Sequence, residues 1–325
     1  MGQLAKGTTK LIDRSSHSGP ISLSAVPLSE LWDYLRYHLK LKDIAEIHRG
    51  IEWNISVKEN KDALIAQAPR PGFKKGLDKA RGKVEPYYAS GMVYLNMDEQ
   101  YRRRTAHLLP WDLPKVIADA RRMSSGPWRI VGFPDANGLV PTENFYGLWP
   151  KTEVEIQVLS ALINSPLFNA GLFARGFGRN SPVNLLEQIP IPHIHAMDAE
   201  KISRLVQSYL IARSQLGNDA TKRAVVEEEC VSTIMEIDGL ILKAYDLPPR
   251  LERKLLDFFR GSKRPLPSEF PDCYPPDFGP CIPLHQFLKL NLREASAAAL
   301  LNRVKPLDSE EIHELATSLE RGGRR

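Results

Sequence analysis

The stretch "GFGRNSPVNLLEQIPIP", Gly176 to Pro192, decides how the rest of the chain is read. Two glycines flank Phe177, Arg179 and Asn180 follow, and a short apolar run ends in a strict Ile-Pro-Ile-Pro. The segment is too rich in Gly and Pro for a plain helix and too punctuated for a plain strand. Glycine lets backbone approach a phosphate closely. Arginine and asparagine can each bond a base edge in two places. The plain alternative is a helix stopped by glycine and followed by a surface loop. Either way, the prolines predict a stiff, extended tail.

On both sides of this segment the pattern differs. Upstream, residues 41–195 mix short strands with helix. "LKDIAEIHRGIEWN" places Ile44, Ile47 and Ile51 around a turn at Gly50. "MVYLNM" and "LPKVIADARR" read as strands, and "PWRIVGFPDANGLVPTENFYGLWP" as more strands broken by a turn at Asp135–Gly138. Residues 67–82 read as a basic loop. "EVEIQVLSALINSPLFNAGLF" predicts an amphipathic helix that Pro166 ends or kinks. Downstream, Ile202, Leu205, Val206, Tyr209, Ala212 and Leu216 form one helical stripe. Cys230, Ile234, Ile237, Ile241 and Tyr245 form a second, with the polar turn "GNDAT" between them. Two long helices with a short connection predict an antiparallel hairpin.

The fold class expected is therefore α+β. A mixed domain over 41–195 precedes a helical hairpin over 196–260. An N-terminal arm and helix over 1–40, the helix from "LSELWDYLRYHLK" (Leu28–Lys40), comes first. A Pro-rich tail over 261–325 closes the chain, with a last helix over Ser309–Gly322.

Composition narrows the function. The 325 residues are 42% hydrophobic and 26% charged, ordinary for a chain that buries a core. No apolar run reaches the length of a membrane span, and the N-terminus lacks the apolar stretch of a secretory signal. Lys6 stands where myristoylation expects Ser or Thr. Three cysteines in so long a chain point to a reducing, cytoplasmic setting.

Net charge is only +5, but it is unevenly placed. Residues 70–129 hold 13 Lys and Arg against 6 Asp and Glu, whereas 196–260 hold 10 against 11. The cations cluster at Lys74, Lys75, Arg102, Arg103, Arg104, Arg121, Arg122 and Arg129, among Phe73, Tyr87, Tyr88, Tyr94, Tyr101, Trp111 and Trp128. Cations serve phosphates, and guanidinium planes serve guanine edges. A solvated face with a few ion pairs is the competing reading. Arg175, Arg179 and Asn180 complete the candidate DNA-contact set.

Other chemistry is less visible. "CYPPDF" (Cys273–Phe278) has Tyr274 where an adenine amino-methyltransferase needs Asn or Asp, so it reads as a Pro-rich linker. No Gly-rich loop follows a convincing strand, so no S-adenosylmethionine site is expected. Cys273, Cys281 and His285 lack paired metal spacing, and His193 and His195 stand alone. Asp135 and Glu143 are candidate metal carboxylates of a nuclease, with Glu153 as a third. Asp135 fits a turn with Asn137 and Gly138 better.

The order of segments resembles a known family. "LKDIAEIHRGI" (Leu41–Ile51) looks like the opening strand of the target recognition domains in type I restriction specificity subunits. Similar domains occur in type IIG enzymes and related N6-adenine methyltransferases. "LPKVIADARRMSSGPWRIVGF" and "LVPTENFYGLWP" resemble the middle of that domain. "LSALINSPLFNAGLFARGFGRNSPVNLLEQIPIP" resembles its end, and "EIDGLILKAYDLPP" (Glu236–Pro249) the helix that follows. The resemblance spans roughly residues 41–260. Only about 40 residues stand before the domain, too few for a methyltransferase half. A single recognition domain is found where a type I subunit usually carries two.

The resemblance implies a non-catalytic, sequence-reading subunit for double-stranded DNA in a restriction-modification or related phage-defence system. It would direct a separate methyltransferase or nuclease chain, with S-adenosylmethionine entering only through that partner. The hairpin at 198–246 would dock the partner or pair two copies of this chain. The rival expectations are a metal-dependent nuclease and a defence scaffold that ignores DNA.

Overall fold

Leu39 and Lys40 pair antiparallel with Ile191 and Pro190, so the chain enters and leaves its β-rich part at one place. In this computed structural model the described residues are 28–54, 61–151, 153–175, 182–216, 220–264, 266 and 283–289. Arg179 and Asn180, Cys273–Phe278 and the expected helix at Ser309–Gly322 lie outside them.

In chain order the elements begin with α1 (Ser29–Tyr34), β1 (Leu39–Lys40), the single turn α2 (Leu41–Ile44) and β2 (Ala45–Arg49). Then come α3 (Lys61–Leu64), β3 (Ile65–Ala66), β4 (Phe73–Leu77), β5 (Lys83–Glu85), β6 (Tyr88–Ser90) and β7 (Val93–Asn96). A loop with two 3₁₀ turns, Glu99–Tyr101 and Thr105–Leu108, leads to β8 (Lys115–Asp119). β9 (Gly132–Asp135), β10 (Val140–Pro141) and β11 (Phe145–Pro150) follow. The rest is helical apart from one short strand: α4 (Ile156–Asn164), α5 (Pro166–Ala174), α6 (Val183–Leu186), β12 (Pro190–Ile191), α7 (Ala196–Ser214), α8 (Ala220–Tyr245), α9 (Pro249–Asp257) and α10 (Leu284–Phe287). The class is α+β, as the pattern predicts.

Two four-stranded sheets organise the β part. The first runs β2-β11-β8-β9 and is antiparallel throughout. The second runs β10-β4-β7-β3, with only the β10–β4 pair parallel. Alternation along a strand sorts the first sheet's side chains. Val116, Ala118, Tyr146, Leu148, Ala45 and Ile47 join the helices in the main core. Ile117, Phe133 and Phe145 turn the other way, as does Trp149, into two smaller clusters with residues of the second sheet. A sheet buried on both faces explains why β8 reads as an unbroken apolar run around Lys115 and Asp119.

The helices follow local rules. Ser165 caps α5, its hydroxyl accepting from Phe168 N at 3.3 Å, and Pro166 takes the first turn. The expected helix is thus two, bent by 54°. Neither is amphipathic in the expected way, since nearly every residue of both is buried. Among the described residues no single helix is long and apolar enough to span a membrane.

α7 and α8 form the predicted antiparallel hairpin. Asp198 near the start of α7 pairs with Lys243 near the end of α8 at 2.7 Å, and Lys201 pairs with Glu236. The stripe Ile202, Val206, Tyr209, Ala212 with Ile234, Ile237, Ile241 and Tyr245 is spent inside the chain's own core, against α4 and the first sheet. Buried residues on both sides of position 195/196 thus share one core cluster. Arg213 of α7 also forks onto Glu85 of β5 at 2.8 and 3.0 Å, and Tyr245 Oη donates to Pro190 O at 2.8 Å.

Two local expectations change. The helix predicted to reach Lys40 stops at Tyr34, because Leu39 is taken up by its pairing with Ile191. Within the basic loop expected over 67–82, Phe73–Leu77 is a central strand of the second sheet. Gly72, at φ +77°, makes the turn before it.

Candidate nucleic-acid interface

The cation cluster read from the sequence divides in space. Lys74 lies on β4, and its ammonium meets the Asp112 carboxylate at 2.8 and 3.0 Å. That bond ties β4 to the β7–β8 loop, which carries Arg103 and Arg104. Glu52 holds both arginines, accepting from Arg103 Nη1 at 3.0 Å and facing Arg104 Nε at 3.3 Å. Arg103 N also donates to Glu52 O at 2.9 Å, fixing the backbone beneath the pair. The two arginine side chains nevertheless remain 47% and 64% exposed. Lys75 is exposed too, but it sits opposite Tyr94 in the register while Lys74 sits opposite Leu95. Neighbours along a strand face opposite ways, so Lys74 and Lys75 do not form one contact.

Arg121, Arg122 and Arg129 lie beyond the far end of β8, a strand of five residues and so about 17 Å long. Arg122 is exposed and Arg121 half-buried. Arg129 is buried: Nη1 donates to Ser124 O at 3.2 Å, and the guanidinium lies over the Phe173 ring at 4.5 Å. Arg102 is buried as well, donating to Asn96 O at 3.3 Å. Burial pushes both guanidinium pKa values down. Each thus turns at least one guanidinium donor onto a protein carbonyl and is withdrawn from the surface. Arg175 belongs with them. Its donors reach Gly171 O at 2.9 Å and Gln188 O at 3.2 Å, bracing α5 against the exit segment, and it lies over Trp32.

A cleft of about 250 Å³ opens beside Glu52 and Arg104, lined also by His48, Arg49, Leu109 and Glu143. Arg49 Nε donates to Glu143 O at 2.7 Å, and His48 Nε2 lies 2.6 Å from Glu46. Neither His48 nor Arg49 was singled out by composition. The available signal was their place at the end of β2, directly before Gly50. That glycine is required: a Cβ there would sit 2.3 Å from the carbonyl oxygens of both Pro141 and Thr142.

The nuclease carboxylates do not converge. Asp135 is buried, accepting from Asn137 N and Leu139 N at 2.9 Å and from Lys115 Nζ at 2.6 Å. Glu143 lines the cleft by Arg49, and Glu153 lines a different groove near Ile191. Among the described residues no three His, Cys, Asp or Glu are grouped to hold a metal.

The sequence matches no protein-family model and no curated protein. Among solved structures the chain is similar to the type IIL restriction-modification enzyme MmeI in complex with DNA, at 9% identity and a TM-score of 0.45, over 68% of this chain and 35% of that one. It is also similar to the type IIG restriction endonuclease BpuSI, at 12% identity and a TM-score of 0.41, over 69% and 33%. The chain spans about a third of the length of each.

Proposed function

We propose that this protein binds double-stranded DNA as the specificity subunit of a restriction-modification or related phage-defence system. The observation that carries the reading is the pinned arginine pair. One carboxylate, Glu52, orients Arg103 and Arg104 while leaving both open to solvent. A guanidinium already held in place loses little freedom when it meets a phosphate or a guanine edge. Lys74, bridged to Asp112 of the same loop, adds a further cation, and Arg49 lines the cleft beside Glu52 and Arg104. Arg179 and Asn180 remain proposed base-reading residues on the strength of the sequence alone.

Chemistry on the bound DNA falls to a separate methyltransferase or nuclease chain, which would bring S-adenosylmethionine or metal. With the inner stripe of the hairpin buried, that partner, or a second copy of this chain, meets the outer face of α7 and α8. Exposed Ile211 and Val225 lie there.

Fluorescence anisotropy with a random-sequence duplex across a salt series tests the reading. Binding should weaken linearly in log–log form, by about 0.9 per phosphate contacted. No binding at low salt would leave the cations as a solvated face on a defence scaffold. Divalent-metal cleavage by the isolated chain would favour the nuclease instead.

A further inference from the structure

We infer that Leu108 is a wedge that enters the base stack of duplex DNA, an inference resting on the DNA-binding proposal above. Leu108 ends the second 3₁₀ turn of the β7–β8 loop and is 69% exposed. Everything around it is fastened. Trp111, fully buried, donates from Nε1 to Ala106 O at 2.7 Å. Ala106 and Leu109 pack against the cluster around Trp111 and Trp149, and His107 Nδ1 lies 3.0 Å from Arg104 O. The turn therefore holds its flanks inward and presents one large apolar side chain to water. Leu113, 55% exposed, stands five residues on in the same loop.

Charge identifies the occupant. Arg104 caps the start of this turn, and four residues of 3₁₀ helix rise about 8 Å, so a cation stands at one end of the turn and the apolar tip at the other. That pairing suits a protein that grips phosphates and pushes an aliphatic side chain between base pairs. Exposed Ile211 and Val225, on α7 and α8, sit in the hairpin that carries the acidic run Glu227–Glu229 and suit a protein partner instead.

The test compares a fully paired duplex with the same duplex carrying a central T·T mismatch and an adjacent 2-aminopurine. A step already weakened is easier to open, so the wild-type chain should prefer the mismatched duplex by about tenfold. 2-Aminopurine emission should rise on binding. Leu108→Ala should bind the paired duplex with an unchanged salt slope but lose both the preference and the emission rise. Leu108→Met should keep them. Thermal melts establish that both variants fold. Salt-dependent binding in which Leu108→Ala behaves as wild type overturns the wedge and leaves DNA binding standing. Absence of binding to either duplex overturns both readings.

Discussion

Lys115 and Asp135 face each other across the β8–β9 register as an ion pair, Nζ to Oδ2 2.6 Å, with neither side chain exposed. Burial pushes the Lys115 pKa down, and the Asp135 carboxylate opposes that push. Lys115 also donates to Trp111 O at 2.5 Å, so the pair anchors the loop that carries the proposed DNA face. Asp135→Asn leaves a buried ammonium without its counter-charge. The expected cost is about 3–5 kcal/mol, read as a lower urea midpoint at constant m-value. A stable Asp135→Asn that loses metal-dependent cleavage would move this carboxylate into catalysis.

Glu252 gives a second prediction. Its buried carboxylate accepts from Leu284 N at 2.7 Å, and burial pushes its pKa up to about 7, the amide bond only partly opposing this. The native state thus holds this proton more tightly than the unfolded chain. Stability is greatest below the unfolded carboxyl range and falls as pH rises towards about 7, then levels. His285, in the same cleft, is pushed down to about 4 by burial and by Lys289 and Lys243. Its contribution is lost as pH falls from about 6.5 to about 4, which is the opposite trend. Comparison with Glu252→Gln cancels the histidine contribution. That variant should gain up to about 3 kcal/mol on wild type at pH 8 and nothing at pH 4.5. A pH-independent difference would place the effect in packing.

Gly147 lies beneath two indoles. A Cβ there would come within 2.5 Å of Trp149 and 2.7 Å of Trp111, whose ring centroids are 4.9 Å apart. Gly147→Ala should cost about 1–3 kcal/mol and shift the tryptophan emission of the folded state. An unchanged melt and spectrum would mean that both rings can move aside cheaply.

How legible this protein was depended on what each residue had to satisfy. Strand β7 and the hairpin were readable because their apolar residues follow one period, and β8 and β11 because each is a short apolar run bounded by turn residues. Pro166 was readable because proline has few options. β4 was not, since Lys74 and Lys75 fill the middle of the strand and only Gly76 and Leu77 are buried. The site was the harder part. Arg102, Arg103 and Arg104 are identical letters in a row. One is buried on Asn96 O and two are held by Glu52, 51 or more residues away in sequence. No local pattern distinguishes them, because long-range partners set their roles. The burial of Arg129 was hidden for the same reason: its partner Phe173 lies on α5.

The Glu52 arrangement allows the DNA face itself to be tested by charge. Arg103→Ala with Arg104→Ala removes two phosphate contacts, so the log–log salt slope should fall by about 1.8. Lys75→Ala, on the other face of β4, should change the slope only if DNA wraps the second sheet. Glu52→Gln acts in the opposite direction. It removes a negative charge from the face and frees both arginines, so affinity for random duplex should rise about two- to fivefold, the scale of an exposed ion pair. Discrimination between sequences should fall, because the guanidiniums are no longer held in one pose. If Glu52→Gln and the double arginine variant both leave affinity and slope unchanged, the DNA-binding surface lies elsewhere on the molecule. Arg122, exposed at the far end of β8, would then be the next cation to replace.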